Sequence, residues 1–267
     1  TCDWSSDVCS SALYGYASFA LDLTDHVRPG ADNLIAIRLE NPAQASRWYP
    51  GAGLYRHVRL VLLHPVHVAH WGTYVTTPAI SAASATVNLE TTVENHGPAS
   101  AVTLQTVVRD AAGRAVASGA TTQRVAGRGV FEQVFTVTEP QRWMPGQPNL
   151  YSITTEVVVD GAVVDNQETP LGLRTLTFDP DRGFFINGTP MKLNGVCQHH
   201  DLGPLGAAVN RTALKRQLDI LQAMGCNAIR TSHNPPAPEL LELCDELGLL
   251  VIDEAFDEWA RSEEHTS

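Results

Sequence analysis

Apolar and polar positions follow two different rhythms along this chain. From Tyr14 to about Thr175 they alternate with the period of two that half-buried strands require, in stretches such as ASFALDLT, NLIAIRLEN, LYRHVRLVLL, SATVNLETTVEN, VTLQTVVRD, GVFEQVFTVT and YSITTEVVVDG. Arg28-Pro29-Gly30, Asn95-His96-Gly97, Ala-Gly-Arg and Asp160-Gly161 supply turn residues between them, read here as hairpin connections. After Arg174 the rhythm changes. A hairpin, FDPDRGFFINGTPMKL, with turns at Asp-Arg-Gly and Asn-Gly, leads into short apolar runs that stop at polar clusters: GVCQHHD (Gly195 to Asp201), NAIRTSHNPP (Asn227 to Pro236) and LLVIDEAFDEW (Leu249 to Trp259).

Two helical patterns lie between those runs. Leu214, Leu218 and Leu221 form one face, widened by Ile220 and Met224, with Asn210 as a start signal and Gly225 as a stop. The second starts near Pro238, carries Leu240, Leu243, Cys244 and Leu247 on one face, and ends at Gly248. Each glycine opens directly into an apolar run. Strand, helix, strand, helix, strand in that order predicts parallel strands joined by right-handed crossovers. Polar residues at the carboxyl ends of successive parallel strands are where a (β/α)₈ barrel keeps its active site, so the pattern points to an enzyme.

The predicted fold class is multidomain β plus α/β. Residues 12–64 read as the C-terminal part of an antiparallel β-domain. Residues 65–175 read as an immunoglobulin-like β-sandwich, by length and strand count. Residues 176–261 read as the first three βα units of a truncated TIM barrel. Three strands cannot close a barrel, so an open edge and an exposed apolar face that favours aggregation are expected.

Composition then narrows the function classes. At 267 residues and 43% hydrophobic content the chain can bury a sizeable core, and no run approaches the ~20 apolar residues of a membrane span. The net charge of −11 and the lack of a basic stripe speak against nucleic-acid partners. Residues 1–11 (TCDWSSDVCSS) and 262–267 (SEEHTS) have no apolar period and resemble translated sequencing-adapter sequence, so they are set aside as non-native tails. Without Asp3, Asp7, Glu263 and Glu264 the charge becomes −11 + 4 = −7. Cys197, Cys226 and Cys244 then remain, without metal spacing, and read as reduced core or near-site thiols. Compartment is open: periplasmic, secreted and cytoplasmic locations all fit.

SRWYPGAGLYRHV (Ser46 to Val58), WMPGQPNLYSITTEV (Trp143 to Val157) and the three strand-end motifs, in that order, resemble glycoside hydrolase family 2, most closely its β-galactosidase branch. The resemblance covers Tyr14 to about Ala260 and implies a sugar-binding jelly-roll, an immunoglobulin-like sandwich and a catalytic barrel. It implies a retaining exo-β-glycosidase acting on terminal neutral β-galactosides by double displacement. β-Glucuronidase and β-mannosidase are the nearest rivals, and a non-catalytic carbohydrate-binding module is the reading from another class. A homo-oligomer, and Mg²⁺ or Na⁺, are implied for the full-length parent only. No cofactor is expected in this chain.

A glycosidase must grip a neutral sugar by its hydroxyls, and His and Asn both donate and accept without adding charge. By resemblance, His199 lines the sugar pocket, His233 contacts substrate and Arg230 organises carboxylates at the barrel mouth. Asn234, Asn41 and Trp259 complete the substrate-binding set, although turn formation explains the two asparagines and core packing explains Trp259 equally well. An inward Arg230 requires a carboxylate partner. His200 and Asp201 are site-organising candidates, and adjacent residues on a strand diverge. A metal reading on His199, His200 and His233 is the minor alternative. Asp253 and Glu254 invite assignment as an acid–nucleophile pair. Neighbours on a strand face opposite ways, whereas a retaining pair converges at about 5–5.5 Å. The resemblance places both catalytic glutamates on later strands, so Asp253 and Glu254 are assigned as site-organising and the chain itself is expected to be inactive. Arg47, Trp48, Tyr49, Tyr55 and Arg56 read as structural.

Overall fold

A computed structural model describes Tyr16, residues 18–39 and residues 53–255. The expected non-native tails, and Asn41, Arg47, Trp48, Tyr49 and Trp259, lie outside the described residues. The chain divides into two compact units. One draws on Thr1–Val58, Gly195–Leu241 and Val251–Ser267, and the other on Arg59–Asn194 and Glu242–Leu250.

The second unit is built on five antiparallel strands: β1 (Val66–Ile80), β2 (Ser84–Arg109), β3 (Ala115–Thr138), β4 (Tyr151–Val159) and β5 (Ala162–Leu171). β2 is long enough to take different partners along its two halves within one five-stranded sheet. Its first half pairs with β1, its second half with β4, and β3 follows it along both. β4 in turn pairs with β5. Alternate residues point inward, so Val87, Leu89, Val93, Val102, Leu104, Phe131, Ile153 and Val157 are all buried. That is the sandwich the alternation predicts, with one correction. Asn95-His96-Gly97 does not turn a hairpin but lies within β2, where the register shifts between Asn95 and Ser100. The reason is visible in Asn95, 3% exposed, whose amide donates to the carbonyls of Pro98 and Val125, each at 3.0 Å. Its oxygen accepts from the Gly97 amide at 2.8 Å. The side chain thus satisfies the backbone groups that the bend frees, and the strand continues past it to pair with β4. Asp160 and Gly161, both at positive φ, do form the tight turn between β4 and β5.

The predicted hairpin is present as β6 (Leu176–Asp179), β7 (Gly183–Ile186) and β8 (Thr189–Pro190). Trp143, 1% exposed, anchors this unit: its indole N–H donates to the Asp245 carbonyl at 2.8 Å, and the Arg174 guanidinium lies over its ring at 4.6 Å.

Strands and helices alternate from Gly195 onward. β9 (Gly195–Gln198), β10 (Ala228–Thr231) and β11 (Leu250–Ile252) form one sheet in the order β11-β10-β9, with β10 parallel to β9. Helix α1 (Arg211–Ala223) starts where Asn210 accepts from the Ala213 amide at 2.9 Å, and α2 (Pro238–Leu247) follows β10. Leu214 and Leu218 are buried, but Ile220 and Met224 are exposed, against the widened stripe expected for α1. At 100° per residue Ile220 lies about 200° from Leu218, on the far side of the helix.

The strands expected before residue 64 do not appear among the described residues. Residues 18–39 and 53–64 carry no ladder, and Leu34, Ile35, Leu60 and Leu62 are exposed. Alternation marks a chain that can bury one face, but a strand exists only where a neighbour accepts its hydrogen bonds.

Candidate functional site

The carboxyl ends of β9, β10 and β11 bring the polar clusters together. Arg230 is the residue through which they meet. It sits on the central strand and reaches both ways: its guanidinium donates to the Cys197 sulfur at 3.4 Å on β9, and to the Glu254 carboxylate just past β11. The same carboxylate takes a second partner, His233 Nδ1, at 2.8 Å. Asp253, the neighbour of Glu254, instead accepts from the Thr231 hydroxyl at 3.0 Å, and that hydroxyl accepts from the Glu254 amide at 3.1 Å. The two carboxylates are thus engaged by different partners. The peptide bond between Ser232 and His233 is cis.

His199 follows β9, and its ring meets that of His233 edge-on, with centroids 5.5 Å apart. Burial, and then the neighbouring His233, hold the His199 imidazole below its usual pKa, so the neutral form is favoured. A neutral imidazole has one donor and one acceptor nitrogen, the combination a sugar hydroxyl needs.

His200 turns elsewhere. Its ring packs against Tyr16 at 5.5 Å and Tyr55 at 5.9 Å, and burial followed by the Arg56 charge lowers its pKa. The imidazoles of His199, His200 and His233 therefore do not converge on one ion, which removes the minor metal reading. Asp201 contributes its backbone carbonyl, which accepts from Gln217 at 3.5 Å, while Gln217 also bonds Gln198 at 2.7 Å. Asn234 lines a small cleft with Tyr55, Arg56, His199, His200 and Pro235.

Tyr55 and Arg56, read from sequence as fixing the sandwich, belong instead to this cleft. Arg56 donates to the carbonyls of Tyr16 at 2.8 Å and Pro235 at 2.5 Å, closing the loop after β10. The sequence offered no signal for this, because the partners are backbone carbonyls 40 and 179 positions away. Cys197 and Cys244 fall on the two sides of the core-or-near-site reading. Hydrogen bonds from Ser232 and Arg230 lower the Cys197 thiol pKa, whereas burial pushes the Cys244 thiol up to about 12. One is a near-site thiol and the other an inert core thiol.

Mg²⁺ and Na⁺ require several oxygen ligands. Among the described residues at these strand ends, Asp253 Oδ1 and both Glu254 oxygens already face Thr231, Arg230 and His233, so the residues present do not form such a cage.

Comparison with known proteins decides the family. Residues 66–174 match the profile of glycosyl hydrolases family 2, and residues 180–264 match the TIM barrel domain of the same family. The chain belongs to glycosyl hydrolase family 2. It is 48% identical over 252 residues to a β-galactosidase of Bacteroides ovatus, covering 93% of this chain and 30% of that protein. It is 35% identical over 247 residues to a putative β-glucuronidase of Formosa agariphila, covering 92% of this chain and 23% of that protein. A solved family 2 structure from Bacteroides cellulosilyticus superposes with a TM-score of 0.89 at 41% identity, covering 94% of this chain and 35% of that one. The chain thus spans about a third or less of the length of these relatives. The sandwich and the β9–β11 sheet are the family 2 sandwich and part of its TIM barrel.

Proposed function

We propose that this chain carries the substrate-holding rim of a retaining exo-β-glycosidase that acts on terminal β-galactosides. The observation that carries the reading is the Glu254 carboxylate held between Arg230 and His233 at the carboxyl end of a parallel sheet. Fixing that carboxylate fixes His233, and the His233 ring stands beside a neutral His199 that offers a donor and an acceptor to sugar hydroxyls. Arg230, Asp253 and Glu254 are positioning residues in this proposal. Thr231 holds one acid while Arg230 and His233 hold the other, an arrangement suited to scaffolding rather than to an acid–nucleophile pair closing on one glycosidic bond. The isolated 267-residue chain is therefore proposed to bind sugar without hydrolysing it.

The galactoside preference draws support from the higher identity to the Bacteroides ovatus β-galactosidase. The β-glucuronidase reading rests on the Formosa relative. It needs a cation for the uronic carboxylate, and the guanidinium groups of Arg230 and Arg56 are directed at Glu254 and at two carbonyls. The test pairs two measurements on the 267-residue chain. Chromogenic β-galactosides and β-glucuronides are expected to show no turnover, and turnover of either overturns the proposed inactivity. Saturation-transfer NMR is expected to show a non-hydrolysable thiogalactoside bound, with the signal lost in R230A. Binding that survives deletion of everything from Arg174 onward would favour a sugar-binding sandwich module instead.

A further inference from the structure

We propose that His67, Glu94 and His96 form a divalent transition-metal site of the zinc class on the sandwich, clipping β1 to β2. The three come together through strand register. His67 on β1 lies opposite Glu94 on β2, and His96 follows two residues on, with Asn95 between them turned into the core. Their ligand atoms all lie within 4.8 Å of one another.

The decisive detail is the tautomer of His67. This side chain is buried, and its Nδ1 lies 2.7 Å from the His64 carbonyl oxygen. A carbonyl can only accept, so Nδ1 carries the proton and Nε2 keeps its lone pair, within 4.8 Å of the ligand atoms of Glu94 and His96. A backbone carbonyl on the far nitrogen is how metal-binding histidines are commonly oriented.

The spacing suits an ion better than a direct ion pair. His67 Nε2 stands 3.9 Å from Glu94 Oε2, too far for a hydrogen bond, and His96 Nε2 stands 3.4 Å from the same oxygen. Two tetrahedral ligands held at ~2.0–2.1 Å from zinc lie about 3.4 Å apart. His96 and Glu94 already have that separation, and His67 needs to close by roughly half an ångström. The His96 side chain is 59% exposed and its ring stacks on His67 at 5.5 Å, so it can adjust while the buried ligand stays fixed. The backbone under it is held by Asn95 and by the His96 amide, which donates to the Pro65 carbonyl at 2.9 Å. Two imidazoles and one carboxylate suit zinc, cobalt or nickel rather than calcium or magnesium, and leave a fourth position for water.

Isothermal titration of the 267-residue chain with ZnCl₂, after alkylation of its accessible thiols, tests the site. One equivalent should bind, and Mg²⁺ should not compete. H96A and E94Q, which alter partly exposed side chains, should each weaken binding at least ~10-fold, as should H67Q. CoCl₂ should give a tetrahedral ligand-field spectrum without a thiolate charge-transfer band. Failure to bind zinc, zinc affinity unchanged in H96A and E94Q, or a thiolate band in the cobalt spectrum overturns the proposal. H96A and E94Q decide the matter even if H67Q fails to fold.

Discussion

In the sandwich, Val87, Val93 and Leu104 are fully buried and Phe131 is 1% exposed, because the strands of one five-stranded antiparallel sheet turn alternate residues into its two core clusters. In the β9–β11 sheet only the central strand approaches that state: Ala228 and Ile229 are buried, while Val196 on β9 is 37% exposed and Ile252 on β11 is 48% exposed. The hydrogen-bonding chemistry differs in the same sense. Asn95 in the sandwich directs its amide at backbone carbonyls at a bend, while Arg230 and His233 both bond Glu254 at strand ends. One region devotes its polar groups to finishing the fold. The other gathers them where a ligand can reach.

The largest expected effect falls on the finished region. F131A removes a ring from the centre of the sandwich core and should cost about 3–5 kcal/mol in urea denaturation. A loss well under 1 kcal/mol would show that the core is looser than its burial indicates.

G195A should break the other region alone. A Cβ at Gly195 would stand 2.0 Å from the Ala228 carbonyl oxygen, a backbone atom fixed by the β9–β10 ladder. One strand must move, at a local cost of about 1–3 kcal/mol. Hydrogen exchange should show lost protection at Gly195–Gln198 with the sandwich amides unchanged. Protection retained at β9 would contradict the pairing.

The smallest effect is electrostatic. His199 and His200 are both held below the usual imidazole value by burial. As pH falls through ~6.5 the unfolded chain takes up protons before the folded one does, so the stability of this unit declines on acidification and not on alkalinisation. NMR titration should place both ring transitions below ~6.5, and a transition above it would reverse the sign.

Much of this was legible in the sequence because it depends on local periodicity. Alternation located the sandwich strands, Asn210 and Gly225 bracketed α1, and the stop of each apolar run at a polar cluster marked the strand ends. That an inward-facing Arg230 needs a carboxylate followed from desolvation, and Glu254 is the carboxylate it meets although the Arg230 side chain stays 43% exposed. Asn95-His96-Gly97 was misread because turn residues signal only that the chain changes direction. Whether it reverses into a hairpin or bends and continues as one strand depends on a remote acceptor such as the Val125 carbonyl.

The amino-acid sequence by itself determined which segments can be strand or helix and which side chains offer donors and acceptors at the strand ends, since both follow from residue type and spacing. Only the tertiary structure decided which of those side chains meet. It turned His199 toward His233 and His200 toward Tyr16 and Tyr55, gave Glu254 rather than Asp253 to Arg230, and set His67 opposite Glu94 across two strands. Such pairings depend on strand register and on backbone carbonyls far away in the chain, and neither leaves a mark in the local order of residues.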